Sequence, residues 1–471
     1  MKNIFEALLM MSLLQSVQAA VTAVQPAPPY VPPAATGMAE VVLGKDGADL
    51  SGTWTLRLDD QQEPKGLEQE WYQESGFEEK IDLPDALQNA GFGDPVTPET
   101  EWIGGSGTEQ WFTSKYDRYR KSGNVKVPFC LQPERRYLGQ AWYQKTVTLT
   151  EDAPLNHDLM LTLERPHWFS TVWLNGEKVG TDDSLSVSHV YNLGSKMKVG
   201  PNSLVVMVDN RYLIPVGNRA HSVSDETQGA WNGIIGDMKL EWRPQVYIES
   251  IKTYPDYRTK SARIAVVVQN TTKMAQKIKL NIQGAATEVS AEPGLTKHEE
   301  TVKFGDGASL WNEFTPVLHP VEVSLSSDLG NESKTVQVGL RNVESEGKKI
   351  LVNGRETFMR GSLDCAIFPK TGYPPTSVED WLTHLGKMKD SGINHVRFHS
   401  WCPPRAAFVA ADQLGMYLLP EAGLWLREVP TGKLEEWVYK ECKRIMDTYG
   451  NHPSVVFFTY GNEPIKHGGW K

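Results

Sequence analysis

The stretch "GINHVRFHSWCPP", residues 392–404, contains one complete β-strand between two helix signals. Gly392 is typical of the end of a helix, and the Pro pair at 403–404 is typical of a helix start. Between them, apolar and polar residues alternate over 395–399, which is the two-residue period of a strand. A strand that follows one helix and leads into another predicts a parallel α/β arrangement.

Further helix and strand signals surround this unit along the chain. The sequence Thr376-Ser377-Val378-Glu379 has the form of a capping box with Thr at the N-cap, and it predicts a helix up to Gly392. Two more helices are predicted, ending at Gly415 and Gly450, and three more strands in "RGSLD", "MYLLPE" and "SVVFFTY". Four strands alternating with three helices predict parallel βαβ units over 344–471. This length is about half of the roughly 250 residues of a (β/α)8 TIM barrel.

The preceding residues show strand periodicity instead. In 38–244, "GTWTLRLDD" alternates, and "TVWLNGEKVG" predicts a hairpin around Asn175-Gly176. These short strands predict a β-sandwich of the jelly-roll type. Residues 245–343 repeat the pattern over a length suited to an immunoglobulin-like sandwich. The predicted fold is therefore multidomain: a jelly roll, an immunoglobulin-like sandwich and a partial TIM barrel.

The N-terminus and the charge limit location and partners. Residues 1–19 have the positive start, apolar centre and small-residue end of a signal peptide, and the Pro- and Ala-rich residues 20–37 predict a linker. We therefore expect an exported protein, periplasmic or extracellular. A net charge of -10 without a basic patch argues against nucleic acid or anionic lipid as a partner. No further stretch is long and apolar enough to predict insertion into a membrane.

The four cysteines, Cys130, Cys365, Cys402 and Cys442, follow no metal-binding spacing, and no Gly-rich phosphate loop follows any predicted strand, so neither a metal nor another cofactor is predicted. Export permits disulfides, and Cys365 and Cys402 lie near the ends of neighbouring predicted strands. Spacing alone does not decide pairing, and four unpaired thiols are the favoured interpretation.

Polar and ionisable residues stand where the four predicted parallel strands end. Ligands of parallel α/β folds meet this edge of the sheet. Buried Arg and His side chains on the second strand need the carboxylates of neighbouring strands as partners, which predicts a polar pocket. The candidate residues are Asp364 on the first strand, Arg397, His399 and Trp401 on the second, Glu421 on the third, and Asn462 and Glu463 on the fourth.

Most candidates have a structural alternative. Glu463 suits a cap or a surface carboxylate as well as a catalytic group. Glu421 suits an ion pair with Arg397 as well as a sugar-hydroxyl contact. Arg397 and His399 suit structural roles that orient carboxylates or satisfy the interior, and Trp401 suits core packing as well as sugar stacking.

Glycoside hydrolysis is the chemistry that needs such a pocket. One carboxyl group must hold a proton for the leaving oxygen, and a second must be ionised across the bond, about 5 Å away in a retaining enzyme. A Glu at the end of an apolar strand is expected to be poorly solvated, which raises its pKa and suits the acid role. The preceding Asn462 is then placed to bind a sugar hydroxyl.

The chain resembles glycoside hydrolase family 2 over almost its whole length after the linker. The resemblance lies in "LSGTWTLRLDD", "GQAWYQKTVTL", "VWLNGEKVG" and "TQGAWNGIIGDMKLEW", and then, in order, in "LVNGRETFMRG", "GINHVRFHSWCPP", "AADQLGMYLLPE" and "YGNEP". It implies that Glu463 is the general acid/base, that Asn462 contacts the substrate, and that Arg397 and His399 line the sugar subsite. The sequences "RGSLD" and "FHSW" depart from the commoner family forms at Asp364 and Trp401.

The resemblance also implies a nucleophilic Glu after a seventh barrel strand, which is expected beyond residue 471. The expected function is that of an exo-acting, retaining β-glycosidase of the β-galactosidase or β-glucuronidase type, acting on an oligosaccharide or glycoside and present here as a fragment. The alternatives are a non-catalytic carbohydrate-binding protein and a surface adhesion protein that uses only the sandwiches.

Overall fold

The computed structural model describes residues 37–104, 111–121, 124–126, 131, 135–151, 153–154, 157–194, 196–426 and 428–463. The predicted signal peptide, nearly all of the predicted linker and Cys130 lie outside these residues. The described chain is mostly β, with several antiparallel sheets followed by a few helices toward the C-terminus. The predicted multidomain, mainly β architecture is confirmed at this level, while the domain boundaries stay a prediction.

Two sheets form the N-terminal sandwich, which we define as residues 40–244. Its core is made by inward side chains of both sheets, among them the completely buried Trp54, Leu56 and Leu161. The predicted hairpin is present, because Asn175 and Gly176 both have positive φ values, 52° and 80°, at the tight turn.

The larger sheet of the N-terminal sandwich has the strand order Glu177–Asp182, Phe169–Leu174, Gly200–Asp209, Gln140–Leu149, Gly52–Leu58 and Glu79–Leu83, with Glu40–Leu43 parallel to Gln140–Leu149. The smaller sheet has the order His189–Asn192, His157–His167, Gly233–Pro244 and Ala48–Asp49, with Asp85–Ala86 also paired to Gly233–Pro244. Short pairs join Asp94–Pro95 to Arg135–Arg136 and Arg120–Lys121 to Asn124–Val125, and 3₁₀ turns cover Trp71–Gln73 and Ser114–Tyr119.

The next sheets form the middle sandwich, residues 246–338. One sheet has the order Val246–Asp256, Ser261–Asn270 and Gly294–Lys303, and the other Ala285–Ala291, Gln276–Ile282, His319–Ser327 and Gly330–Val338. Alternating Val, Ile and Leu side chains from both sheets make its separate core. A small antiparallel sheet of Val343–Glu346, Lys349–Val352 and Arg355–Glu356 follows.

The C-terminal α/β region, residues 361–463, has parallel strands as the sequence predicts. Gly361–Asp364, His395–Phe398 and Tyr417–Leu419 pair in parallel, and so do Glu421–Trp425 and Thr459–Asn462. The helices are Val378–Asp390, Arg405–Leu414 and Lys433–Tyr449. Val396 and Phe398 are completely buried, which agrees with the predicted apolar face of the second strand.

Two local predictions for this region need correction. The N-cap of the first helix is Ser377, whose Oγ accepts from the N–H of Asp380 over 3.2 Å, so the cap lies one residue later than predicted. The fourth strand is Thr459–Asn462, whereas the apolar residues before it form only one bridge, between Leu418 and Val455. The predicted strand 454–460 is therefore displaced toward its polar end.

A loop of the N-terminal sandwich, residues 210–232, lies against the ends of the parallel strands. The N–H of Trp425 donates to the carbonyl of Val216 over 2.8 Å, and the N–H of Ser222 donates to the carbonyl of Ser400 over 3.2 Å. We call this segment the sandwich loop. It brings residues that are distant in sequence to the edge where the candidate site was predicted.

Candidate functional site

Arg397, on the strand His395–Phe398, connects two further strands at the centre of the site: it binds Glu421, which begins Glu421–Trp425, and Asn462, which ends Thr459–Asn462. Its Nε donates to Oε1 of Glu421 over 2.6 Å, and its Nη2 donates to Oδ1 of Asn462 over 2.7 Å. Glu421 is completely buried, and its second oxygen accepts from the N–H of Ser400 over 2.6 Å. Burial raises the pKa of Glu421, while the Ser400 N–H and the Arg397 guanidinium oppose that shift. The predicted ion pair of Glu421 with Arg397 is therefore present.

Asp364 makes two sets of contacts. Its backbone carbonyl binds residues that follow the second strand, and its carboxylate binds His384 and Ala366. Its carbonyl accepts from the His399 N–H and from the Trp401 indole N–H, each over 2.9 Å. Its Oδ2 lies 2.9 Å from Nε2 of His384, and its Oδ1 accepts from the Ala366 N–H. Each carboxylate oxygen thus already has a protein partner, and a substrate contact by Asp364 stays a prediction.

His399 lies in a group of three rings. Its ring stacks on His221 with centroids 4.5 Å apart, and it meets the ring of Trp425 at a steep angle with centroids 4.7 Å apart. Burial lowers the pKa of His399, and the charge of Arg397 lowers it further, while Glu463 acts in the opposite direction. A neutral imidazole is therefore expected at neutral pH.

The sandwich loop completes this group. The backbone N–H of His221 donates to Oγ of Ser400 over 2.9 Å, and the hydroxyl of Ser222 donates to the carbonyl of Gly423 over 2.9 Å. Burial, followed by the neighbouring His399, lowers the pKa of His221 to about 4. Sequence analysis missed His221 because its loop has no periodicity and lies far from the strand motifs.

Gly217 allows the sandwich loop to approach closely. Its φ is +104°, and a Cβ placed there would lie 1.9 Å from the carbonyl oxygen of Trp425. Any other residue would need the loop or the strand Glu421–Trp425 to move. The glycine was visible in the sequence, but only the structure shows what it contacts.

Asn462 and Glu463 differ in their exposure. Asn462 is buried, and among the described residues its Nδ2 has no hydrogen-bond partner. Glu463 follows the last ladder residue with a φ of 46° and is exposed. The expected poorly solvated setting of Glu463 is therefore not found in the described part of the chain. Its carboxylate nevertheless lies close enough to His399 to influence that ring's pKa.

Trp401 is surrounded by other aromatic rings. It is 3% exposed and packs on Phe398, Phe368 and Trp381, with centroids 5.3, 5.9 and 6.5 Å away. This is the setting of its packing alternative, and a sugar contact by Trp401 stays a prediction. Trp425 is the half-buried Trp beside His399.

The other predictions concern metals, thiols and membranes. Over the described ranges, no group of three or more His, Cys, Asp or Glu side chains is arranged to hold a metal ion. Cys365, Cys402 and Cys442 are unpaired, so the alternative Cys365–Cys402 disulfide is absent. None of the helices in the described part is long and apolar enough to cross a bilayer.

Comparison with known proteins supports the motif-based resemblance. Residues 246–341 match the family described as glycosyl hydrolases family 2. The β-galactosidase of Photobacterium profundum is 26% identical over 446 residues, which cover 88% of this chain and 40% of that protein. The β-galactosidase large subunit of Latilactobacillus sakei is 26% identical, over 65% of this chain and 51% of that protein. The resemblance to glycoside hydrolase family 2 is thereby confirmed.

Solved structures share the fold at low identity. A Bacteroides uniformis β-glucuronidase superposes with a TM-score of 0.65 at 18% identity, over 89% of this chain and 47% of that one. A putative β-galactosidase from Bacteroides fragilis superposes with a TM-score of 0.65 at 17% identity, over 88% and 58%. This chain therefore spans about two fifths to three fifths of the relatives named here.

Proposed function

This chain is related to the glycosyl hydrolases of family 2, and from that premise we propose that it forms the substrate-binding and acid/base part of an exo-acting, retaining β-glycosidase of the β-galactosidase or β-glucuronidase type. The proposal includes the finer fold assignment: a jelly roll over 38–244, an immunoglobulin-like sandwich over 245–343, and the first half of a TIM barrel over 344–471. The substrate is a glycoside or an oligosaccharide.

The observation that carries the proposal is the hydrogen-bonded series Glu421–Arg397–Asn462 at the ends of parallel strands. Two of its members are buried, and the half-buried Arg397 links them over 2.6 and 2.7 Å. We propose that this arrangement positions Asn462 so that its Nδ2, which is buried and has no hydrogen-bond partner among the described residues, donates to a sugar hydroxyl oxygen. Glu463 directly follows Asn462, so a sugar held by the amide places its glycosidic oxygen near the Glu463 carboxyl group.

In this proposal the catalytic, binding and supporting tasks fall to different residues. Glu463 gives its proton to the leaving oxygen and then takes a proton from the attacking water. Asn462, Arg397 and His399 bind and orient the sugar, and Glu421 keeps Arg397 in place. The nucleophilic Glu is proposed to lie in barrel sequence beyond residue 471, so Glu421, which is committed to its ion pair, is not assigned that role.

The experiment uses the chain with its downstream barrel sequence, assayed on β-glycosides with good and poor leaving groups. Glu463→Gln should slow hydrolysis of a disaccharide or alkyl glycoside by roughly 10²–10⁴-fold, and that of an activated aryl glycoside far less, because only poor leaving groups need the proton. The matched control is Glu435→Gln on the exposed surface of the helix Lys433–Tyr449. Equal slowing of both substrates by Glu463→Gln would remove Glu463 from the acid role.

A second candidate is a non-catalytic carbohydrate-binding protein. It is favoured by one observation: Glu463 is exposed, and the other carboxylate of the central network, Glu421, is fully paired. Such a protein would bind a glycoside through Asn462 and Arg397 and would show no turnover even with the downstream sequence present. Measurable hydrolysis that depends on Glu463 would exclude this candidate.

A further inference from the structure

Ser400 lies between the sandwich loop and His399. It is completely buried, and its φ of 53° places it in the left-handed region, two residues after the strand His395–Phe398. Its N–H donates to Glu421, and its carbonyl accepts from Ser222. Its backbone is thus hydrogen-bonded both to Glu421 and to the sandwich loop, and we call this contact region the junction. These two bonds fix the position of the Ser400 hydroxyl group.

The Ser400 hydroxyl meets two groups. Its Oγ accepts from the backbone N–H of His221 over 2.9 Å and lies 3.3 Å from Nδ1 of His399. A backbone N–H can only donate, so it occupies a lone pair of Oγ and leaves the hydroxyl proton available. Nδ1 of His399 is the neighbouring atom able to accept that proton.

The protonation of His399 makes the direction of this bond important. Its imidazole is half-enclosed by His221 and Trp425, and burial together with the Arg397 charge lowers its pKa. A neutral imidazole carries one proton, on either Nδ1 or Nε2. If Nδ1 accepts from Ser400, the proton must be on Nε2.

We propose that Ser400 is a positioning residue that fixes His399 as the Nε2–H tautomer and so makes His399 a hydrogen-bond donor to a hydroxyl oxygen of the bound glycoside. The series runs from the His221 N–H to Ser400 Oγ, from the Ser400 hydroxyl to His399 Nδ1, and from His399 Nε2–H to the sugar. Only its last member rests on the proposed function. The N-terminal sandwich thereby sets the hydrogen-bonding direction of a group in the α/β region.

The stacking of His221 supports this role. The two imidazoles are inclined by 28° with centroids 4.5 Å apart. This stacking restricts rotation of the His399 ring about its Cβ–Cγ bond. A flipped His399 ring would move Nδ1 away from Ser400. His221 therefore contributes through its ring as well as through its backbone N–H.

The test is ¹⁵N NMR of the full chain labelled at histidine, without sugar, with the His399 signal assigned by its loss in His399→Gln. The wild-type signal should show the Nε2–H tautomer near pH 7. Ser400→Ala removes only the hydroxyl and should shift His399 to Nδ1–H or to a mixture. An Nδ1–H or doubly protonated His399 in the wild type, or an unchanged tautomer in Ser400→Ala, would overturn the proposal.

Two further variants separate the tautomer effect from a loss of structure. Ser400→Gly also lacks the hydroxyl, but glycine suits the φ of 53°, so it should keep the junction intact and change the tautomer as Ser400→Ala does. Ser222→Ala removes the hydroxyl bond to Gly423 at the same junction and should leave the His399 tautomer unchanged. A tautomer change in Ser222→Ala equal to that in Ser400→Ala would contradict a specific role of Ser400.

Sugar binding tests the last member of the series. Titration of the same samples with methyl β-galactoside and methyl β-glucuronide should show the better of the two binding at least about tenfold more weakly to Ser400→Ala than to wild type. Equal affinity in both proteins would overturn the donor role of His399. The proposed Nε2–H tautomer in a wild type that binds neither sugar would instead confirm the fixing of the tautomer and count against the proposed function.

Discussion

Arg397 and Glu421 form an ion pair across neighbouring parallel strands, with 2.6 Å between Nε and Oε1. Glu421 is completely buried, whereas about a third of the Arg397 side chain is exposed. The guanidinium and the Ser400 N–H therefore replace the hydrogen bonds with water that the Glu421 carboxylate lost on burial. Loss of the guanidinium should therefore destabilise the fold more than loss of an arginine from an exposed ion pair.

Arg397→Met should lower the free energy of unfolding by about 3–5 kcal/mol, because it leaves the Glu421 charge buried without its cation. Urea denaturation at pH 7 measures the loss. Arg263→Met is a suitable control, since Arg263 forms a 2.8 Å pair with Glu299 in which both side chains are over a third exposed. That control should lose less than about 1 kcal/mol.

The double variant Arg397→Met with Glu421→Gln should be more stable than Arg397→Met alone, because the uncompensated charge is gone. If Arg397→Met is no more harmful than Arg263→Met, the ion pair does not stabilise the fold as argued. Sugar binding should be weakened in both the single and the double variant, since each removes the support of Asn462 by Nη2.

Gly217→Ala should weaken both stability and sugar binding, because the new Cβ would lie 1.9 Å from the Trp425 carbonyl oxygen. Gly294→Ala is the matched control: its φ of +95° imposes similar backbone strain, but its Cβ would meet nothing within 4 Å. Both variants should lose about 1 kcal/mol from strain. Only Gly217→Ala should also change Trp fluorescence and reduce glycoside affinity, measured by titration calorimetry.

An identical stability loss and an unchanged sugar affinity in the two glycine variants would show that the sandwich loop tolerates the displacement. In that case the close approach at Trp425 would not be needed for the geometry of His221 and His399.

The sequence predicted the parts of the site that depend on strand periodicity. Alternation over 395–398 separates the buried Val396 and Phe398 from Arg397, and neighbouring parallel strands bring Glu421 and Asn462 within hydrogen-bond distance of Arg397. These relationships need only the two-residue period and the direction of the strands. They were therefore accessible without coordinates.

Two causes explain the features that the sequence did not predict. Some sequence signals overlap, and other contacts depend on packing between distant parts of the chain. In "TSVED", two capping frames are offset by one residue, and only the hydrogen bond from the Asp380 N–H to Ser377 Oγ shows which is used. The His221 contact to Ser400 spans 179 residues between a loop and a strand end, where no periodic pattern exists. Trp401 follows the strand His395–Phe398 and Trp425 ends the strand Glu421–Trp425, and only the contacts in the structure show that the first is enclosed by rings.

His221 should make the stability of the wild type fall as the pH is lowered from about 6.5 toward 4. Its folded pKa of about 4 lies below the value of an unfolded histidine, so between these two pH values the unfolded chain binds the extra proton. The expected loss is about 2 kcal/mol, allowing for the partial exposure of the ring. His221→Phe keeps the stacking area and removes the proton site, so its urea midpoint should depend less on pH over this range. If the urea midpoint of His221→Phe depends on pH as strongly as that of the wild type, burial of the His221 ring does not lower its pKa as argued.

Asp225, four residues further along the sandwich loop, should act in the opposite direction. Burial raises its pKa to about 6, against the opposing charge of Arg136, whose Nη2 lies 3.0 Å from its carboxylate. Between about pH 4 and 6 the folded state therefore holds a proton that the unfolded chain has released, and this group's contribution to stability falls as the pH rises.

Asp225→Asn removes that fall, so the unfolding free energy should rise more steeply with pH than in the wild type, even though the variant is less stable overall. In the double variant with His221→Phe both effects should disappear, which urea denaturation between pH 4 and 7 can measure. A single Asp225→Asn variant whose profile runs parallel to that of the wild type would show that Asp225 is already ionised at pH 4 in the folded loop.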